Sequence, residues 1–169
     1  KTVEDLEKFG LSALTIVPAM ALKKTNNKNP TRNLIASQDP KSPISEAYRT
    51  LRTSIMFSQT NISSNVIMIS SPGPGEGKTT TVSNLAITYA NLGKKTILID
   101  SDLRKPVIHK LFEADKEKGL TQFLVGKLKL KEIINKTHIE NLNVISCGII
   151  PPNPSELLNS SKMSKLVST

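Results

Sequence analysis

The stretch NVIMISSPGPGEGKTTT at 65–81 limits what this chain can fold into more than any other. The apolar, largely β-branched run Val66, Ile67, Met68 and Ile69 predicts a strand, which feeds a loop holding Gly73, Gly75 and Gly77 before Lys78, Thr79 and Thr80 open a helix. Glycines leave backbone N–H groups free to curl around phosphate oxygens, and a helix starting near Lys78 aims the positive end of its dipole at the same anion. A lysine at this place reaches the β- and γ-phosphates of a nucleotide, and the hydroxyl after it, here Thr79, is placed to ligate the accompanying Mg²⁺. The candidate nucleotide-binding residues are therefore Gly73, Gly75, Glu76, Gly77, Lys78, Thr79 and Thr80. The match to G-x-x-x-x-G-K-[ST] departs at one position, where Pro72 stands in place of the first glycine.

At 169 residues, 37% of them hydrophobic, the chain is about one domain long and has the side chains for a core. It contains no apolar run of the length a membrane span needs. Cys147 is the single cysteine, so no intrachain disulfide forms, and its setting in VISC reads as a buried strand end suited to a reducing cytoplasm. The net charge of +9 raises nucleic acid or an anionic membrane as partners. Four Phe, two Tyr, no Trp and no RNA-binding motif argue against nucleic acid. His109 and His138 stand singly, without metal-ligand spacing, and read as surface residues.

Residues 2–9, TVEDLEKF, predict a short helix with Thr2 as N-cap and Gly10 as its stop, and ALTIV at 13–17 predicts a strand ended by Pro18. Residues 21–41 are polar, basic and proline-punctuated, with Lys23, Lys24, Lys28 and Arg32 and no acid before Asp39, which marks a linker. Two readings of it stay open: a solubilising tether, or a segment beside an anionic membrane, where each basic residue near lipid contributes about 1 kcal/mol. From Ser42 the pattern turns helical, with Ile44, Ala47, Tyr48, Leu51, Ile55 and Met56 on one face. Glu46, Arg49 and Arg52 recur on a different side; taken as residues alone they read most simply as a solvated stripe of local acid-base pairs.

Residues 79–92 predict a helix with Val82, Leu85, Ala86, Tyr89 and Leu92 inward and Gly93 closing it, and KTILID at 95–100 predicts the next buried strand. Strand, helix and strand at this length make a right-handed parallel βαβ unit covered on both faces. IDSDLRKP then puts Asp100 and Asp102 at the carboxyl end of that strand, the end at which open α/β sheets bind ligand. Both are candidates for Mg²⁺ and for a general base, the plainer alternative being a pair of turn-forming aspartates. Farther on, 109–112, 120–126 and 131–135 read as short helical pieces and 141–147 as a third strand, and a proline-rich loop gives way to a helix near Ser155.

Taken together, SPGPGEGKTT, ILIDSDLR, GIIPPNPSELL and the E-x-x-R-x-x-R helix resemble the bacterial tyrosine kinases of capsule and exopolysaccharide synthesis, over essentially the whole chain. The P-loop by itself is generic. ILIDSDLR is similar to that family's second Walker motif and narrows the likeness to MinD-like P-loop ATPases, and PPNPSELL with Glu46, Arg49 and Arg52 narrows it further. The resemblance implies an α/β P-loop NTPase fold with a parallel sheet flanked by helices. It also implies ATP and Mg²⁺ as cofactors and an autophosphorylating protein tyrosine kinase that regulates polysaccharide synthesis and export.

By the same resemblance, Lys78 binds phosphate within the catalytic set, Thr79 holds Mg²⁺, Asp100 accepts the tyrosine proton, Asp102 assists the metal, and Glu46, Arg49 and Arg52 join subunits into a ring. Residues 1–20 resemble the juxtamembrane part of a chain-length regulator, 21–41 are the basic linker, and 42–169 are the N-terminal part of the kinase domain. The implied partners are other copies of the chain, the transmembrane regulator domain, protein tyrosine substrates and a cognate tyrosine phosphatase, at the cytoplasmic face of the bacterial plasma membrane. The family's third Walker motif and tyrosine cluster are expected after Thr169, so the sheet is expected to lack its C-terminal strands. A MinD- or ParA-like ATPase shares the fold but carries a second lysine where Gly73 stands. A non-catalytic nucleotide-binding assembly module is the other alternative.

Overall fold

The structure, a computed structural model, describes residues 3–10, 12–19, 34–58 and 65–168. Helix α1 (Val3–Glu7) turns off at Gly10, whose φ of 72° favours glycine, as expected; the Thr2 cap lies outside the described residues. The strand expected at 13–17 is absent. Residues 12–19 join no sheet, Leu14 and Ile16 are exposed, and Leu14 O accepts from Ser54 Oγ at 3.2 Å. The expected linker also ends earlier than residue 41: α2 (Ile35–Gln38) lies within it, and Leu34 and Ala36 are core residues at 1% and 2% exposure. Three consecutive apolar residues, Leu34, Ile35 and Ala36, outweighed the polar surroundings that suggested a tether.

Helix α3 (Pro43–Ser58) starts where Ser42 Oγ accepts from the Ser45 N–H at 3.2 Å, with Pro43 at the position whose missing N–H costs nothing. Its inner face is narrower than periodicity predicts. Tyr48 is buried, Ile44, Ala47, Leu51 and Ile55 are half-buried, and Met56 is exposed near the helix end. Helix α4 (Lys78–Asn91) ends in a Schellman motif: Gly93 N–H donates to Ala90 O at 2.9 Å and Lys94 N–H to Tyr89 O at 3.2 Å, with Gly93 at φ 81°. Ser83 to Thr88 and Ala90 are buried, so α4 is enclosed on most sides, whereas Leu92, expected inward, is exposed beside the turn. Fully burying a side chain such as Ile87 stabilises the fold by about 2 kcal/mol.

The turn at 93–95 leads into β1 (Thr96–Ile99). After it come α5 (Ile108–Leu111), α6 (Leu120–Leu124), α7 (Leu130–Ile133), β2 (Asn135–Lys136), β3 (Leu142–Ile145), α8 (Pro154–Leu158) and α9 (Ser161–Val167). Among the described residues the sheet runs in the order β1-β3-β2. β1 and β3 are parallel, with Thr96 opposite Leu142 and Ile99 opposite Ile145; β2, which periodicity does not reveal, is antiparallel to β3. Alternation along the strands divides the core between two faces. Leu98, Leu142 and Val144 meet Leu34, Ala86, Ile87, Ala90, Ile108 and Leu111 on one face. Ile99 and Ile145 turn to the other, with Leu103, Leu120, Leu124, Ile133 and residues of α8 and α9.

The strand expected over Val66–Ile69 is not part of this sheet. Val66 and Met68 are 49% and 88% exposed, whereas a central parallel strand is covered on both faces. The described chain supplies no cover there.

Candidate functional site

The phosphate loop follows residues 65–70 and enters α4 through Gly77, which takes a left-handed φ of 87° at the N-cap; Gly75 is similar at 78°. A Cβ at such φ values costs roughly 1–2 kcal/mol, which explains glycine at both places. Lys78 Nζ donates to Ser71 Oγ and to Gly73 O, both at 3.1 Å, so the ammonium is folded across the loop it follows. Ser71 Oγ donates to Gly73 O at 2.9 Å. The Gly73 N–H donates to Glu76 Oε2 at 3.1 Å, so a carboxylate of the chain already uses the loop's affinity for anions. Thr79 and Thr80 are half-buried in the first turn of α4.

This donor set fits a nucleotide phosphate with Mg²⁺. An ammonium, two hydroxyls and the amino end of a 14-residue helix converge there, and glycines keep side chains out of the approach. Two polar groups hold the helix in place: Asn84, whose role sequence reasoning missed, and Tyr48, expected on the inner face of α3 though not for its hydrogen bond. Asn84 Oδ1 accepts from the Ala36 N–H at 2.9 Å while its Nδ2 donates to Thr80 O at 2.8 Å. Tyr48 is 2% exposed; burial pushes its phenol up, partly offset by a hydrogen bond with the Thr81 side chain. A polar Asn amid an apolar helix was a visible signal, but its partner is 48 residues away.

Asp100 stands one residue beyond β1, and its N–H donates to Ile145 O at 2.9 Å, continuing the ladder. Its Oδ1 accepts from the Asp102 N–H at 3.2 Å and its Oδ2 from Val107 and Ile108 at 3.2 and 3.1 Å. At 4% exposure, burial raises the carboxyl above its ordinary value and outweighs those three donors, which pull it down. Asp102 is exposed, and its Oδ1 accepts from the Arg104 and Lys105 N–H groups at 3.2 and 2.9 Å. Both aspartates thus fold the loop at 101–108 as well as presenting carboxylates. The tight turn at 93–95 makes α4 and β1 antiparallel, so the amino end of α4 and the carboxyl end of β1 share one edge of the domain.

The E-x-x-R-x-x-R residues lie elsewhere, on α3. Arg49 Nε donates to Glu46 Oε2 at 2.8 Å and an Arg49 Nη to Pro40 O at 2.6 Å, near the surface. Arg52 Nη1 instead reaches Thr88 O of α4 at 2.7 Å. Cys147 is buried two residues past β3, as its setting suggested, and burial pushes its thiol up to about 11. Of the two single histidines, His138 is exposed and His109 half-buried.

The AAA domain family model matches residues 64–166. The chain is 45% identical over 147 residues to the tyrosine-protein kinase YwqD of Bacillus subtilis, covering 87% of this chain and 62% of that protein. It is 37% identical over 176 residues to a putative tyrosine-protein kinase in the cps region of Klebsiella pneumoniae, covering 99% of this chain and 24% of that protein. The chain therefore spans less than two thirds of these relatives' own length. The solved kinase domain of the Escherichia coli tyrosine kinase ETK superposes with a TM-score of 0.89 at 35% identity, covering 99% of this chain and 67% of that one. The family model spans the P-loop and both aspartates at the end of β1. The chain belongs to the AAA-domain family of P-loop proteins and, within it, to the bacterial tyrosine-kinase domains.

Proposed function

We propose that the protein to which this chain belongs is an ATP- and Mg²⁺-dependent, autophosphorylating protein tyrosine kinase that regulates capsular or exopolysaccharide synthesis. The observation that carries the reading is the shared edge of the amino end of α4, with Lys78 and Thr79, and the carboxyl end of β1, with Asp100 and Asp102. Bound ATP with Mg²⁺ supplies the phosphoryl group and neutralises part of its charge. The loop N–H groups and Lys78 would hold the phosphates in line, Thr79 and Asp102 would hold the metal, and Asp100 would take the proton of the incoming tyrosine. A carboxyl raised by burial is closer to the value a base needs near neutral pH than an exposed aspartate.

In this proposal, copies of the domain assemble into a ring through the outer face of α3. Glu46 and Arg49 present its polar surface, and Arg52 braces that helix against α4. Residues 1–20 would belong to a transmembrane chain-length regulator, which places the protein at the cytoplasmic face of the plasma membrane, and a cognate tyrosine phosphatase would reset it. The test is incubation of the full-length protein with ATP and Mg²⁺, followed by phosphotyrosine detection. Phosphotyrosine on the protein is the expected result. ATP hydrolysis without it would favour a MinD- or ParA-like ATPase, and nucleotide binding with neither would favour an assembly module.

A further inference from the structure

We infer that the groove between the loops after β1 and β3 docks an acidic peptide segment flanking the target tyrosine. The inference rests on the kinase reading for the word target, but the docking chemistry stands on the groove itself. The groove has a volume of about 720 Å³, within the ~300–1,000 Å³ of ordinary ligand sites. It lies at the carboxyl edge of the parallel pair, where open α/β sheets bind ligands.

Four cations line it: Arg104 and Lys105 from the loop after β1, Lys110 from α5, and Lys116 from the following loop. All four are exposed. The only acid among the lining residues is Glu117, and neither the pair Lys8–Asp5 nor the pair Arg49–Glu46 involves any of the four. An excess of positive charge in a concave site focuses potential on whatever enters it. His109, inside the groove, is held below its ordinary value by burial first and then by Lys110, with Asp100 pulling the other way and Lys116 adding to the lowering.

Apolar residues line the groove as well: Ile149 and Ile150 are 58% and 55% exposed, and Val107 is 38% exposed. It is also held firmly. Gln122 Oε1 accepts from the Gly119 and Ile149 N–H groups at 3.2 and 3.4 Å, and a Cβ at Gly119 would collide with the backbone of Ser146 and Gly148. Apolar side chains and cations lining one groove suit a peptide that lays down an aromatic or aliphatic side chain and sets carboxylates beside it. A lipid headgroup layer is flat and would meet only the rim. The groove also adjoins the site, since Asp102 Oδ1 holds the N–H groups of Arg104 and Lys105, the first residues of its wall.

The test uses the full-length protein and a fluorescent decapeptide with one tyrosine flanked by glutamates, with binding read by anisotropy at low salt and without nucleotide. The variant Lys110→Glu with Lys116→Glu, both at exposed positions outside the phosphate machinery, is expected to lose at least about tenfold in peptide affinity. It should keep wild-type affinity for an ATP analogue. Lys110→Gln with Lys116→Gln is expected to fall between, which guards against misfolding of the charge-reversed form. Peptide affinity unchanged in both variants overturns the inference. So does a wild-type protein that ignores the peptide and binds phosphatidylserine vesicles through the same lysines. If the peptide binds through these lysines while no phosphotyrosine ever forms, the groove stands and the kinase reading falls. If phosphotyrosine forms and the variants handle the acidic peptide like wild type, the kinase reading stands and the groove falls.

Discussion

Arg52 Nη1 donates to the carbonyl of Thr88 at 2.7 Å, so one member of the E-x-x-R-x-x-R stripe closes the last turn of the nucleotide helix. The Leu92 N–H, one turn on, bonds to Tyr89 O instead, which leaves the Thr88 carbonyl for the guanidinium. The placement also sets a cation at the negative end of the helix dipole. Arg49 differs: it pairs with Glu46 on its own helix, where both side chains meet water. The two arginines share a motif and have separate tasks.

Arg52→Ala is therefore expected to lower stability by about 1–2 kcal/mol, through an unpartnered carbonyl and a lost helix-end charge. Arg49→Ala should cost less than about 1 kcal/mol, as exposed pairs do, and should instead reduce the mass of the complete cytoplasmic domain in light scattering, as the proposed ring requires. Urea denaturation of the two variants separates them; equal losses would refute the division of roles.

Lys78→Met removes the ammonium that folds across the phosphate loop. The full-length variant should lose phosphotyrosine formation and bind an ATP analogue more weakly, with its circular dichroism unchanged, because the lost hydrogen bonds are local to the loop. Phosphotyrosine formed at the wild-type rate would remove Lys78 from the catalytic set.

Burial holds the Asp100 carboxyl above its ordinary value. The native state then binds this proton more tightly than the unfolded chain does. Its contribution to stability is fully present below the unfolded value of 3.8 and is lost as pH rises through the folded value. Asp100→Asn has no such titration, so its stability deficit relative to wild type should be larger at pH 4 than at pH 7 in urea denaturation. In phosphotransfer the same variant should lower kcat more than it raises KM for ATP, because a base acts in the transition state. A deficit of the same size at both pH values would contradict the burial argument.

Cys147 is 1% exposed, and its thiol is pushed up to about 11. At pH 8 its thiolate is roughly a hundredfold scarcer than that of an ordinary cysteine, and reagents cannot reach it. Labelling by a disulfide reagent should thus proceed only with unfolding, at a rate that follows urea concentration. Rapid labelling of the native protein would show that this side of the sheet opens.

The nucleotide loop was legible in the sequence because its chemistry is local. Glycine spacing, Lys78 and Thr79 act within one turn of chain, and the same holds for the α4 stop at Gly93 and for the aspartates that end β1. Periodicity likewise located α3, α4, β1 and β3, whose apolar residues repeat at helical or strand spacing. What tertiary structure decided were contacts between residues far apart in the chain. The inclusion of Leu34 and Ala36 in the core depends on α4 lying over them, and Asn84 finds its partner 48 residues away. Val66–Ile69 and 13–17 have strand composition without strand structure, since a strand is made by its neighbours and no propensity supplies them. Arg49 and Arg52 look equivalent in a motif, and only the packing of α3 against α4 sends one to solvent and the other to a backbone carbonyl.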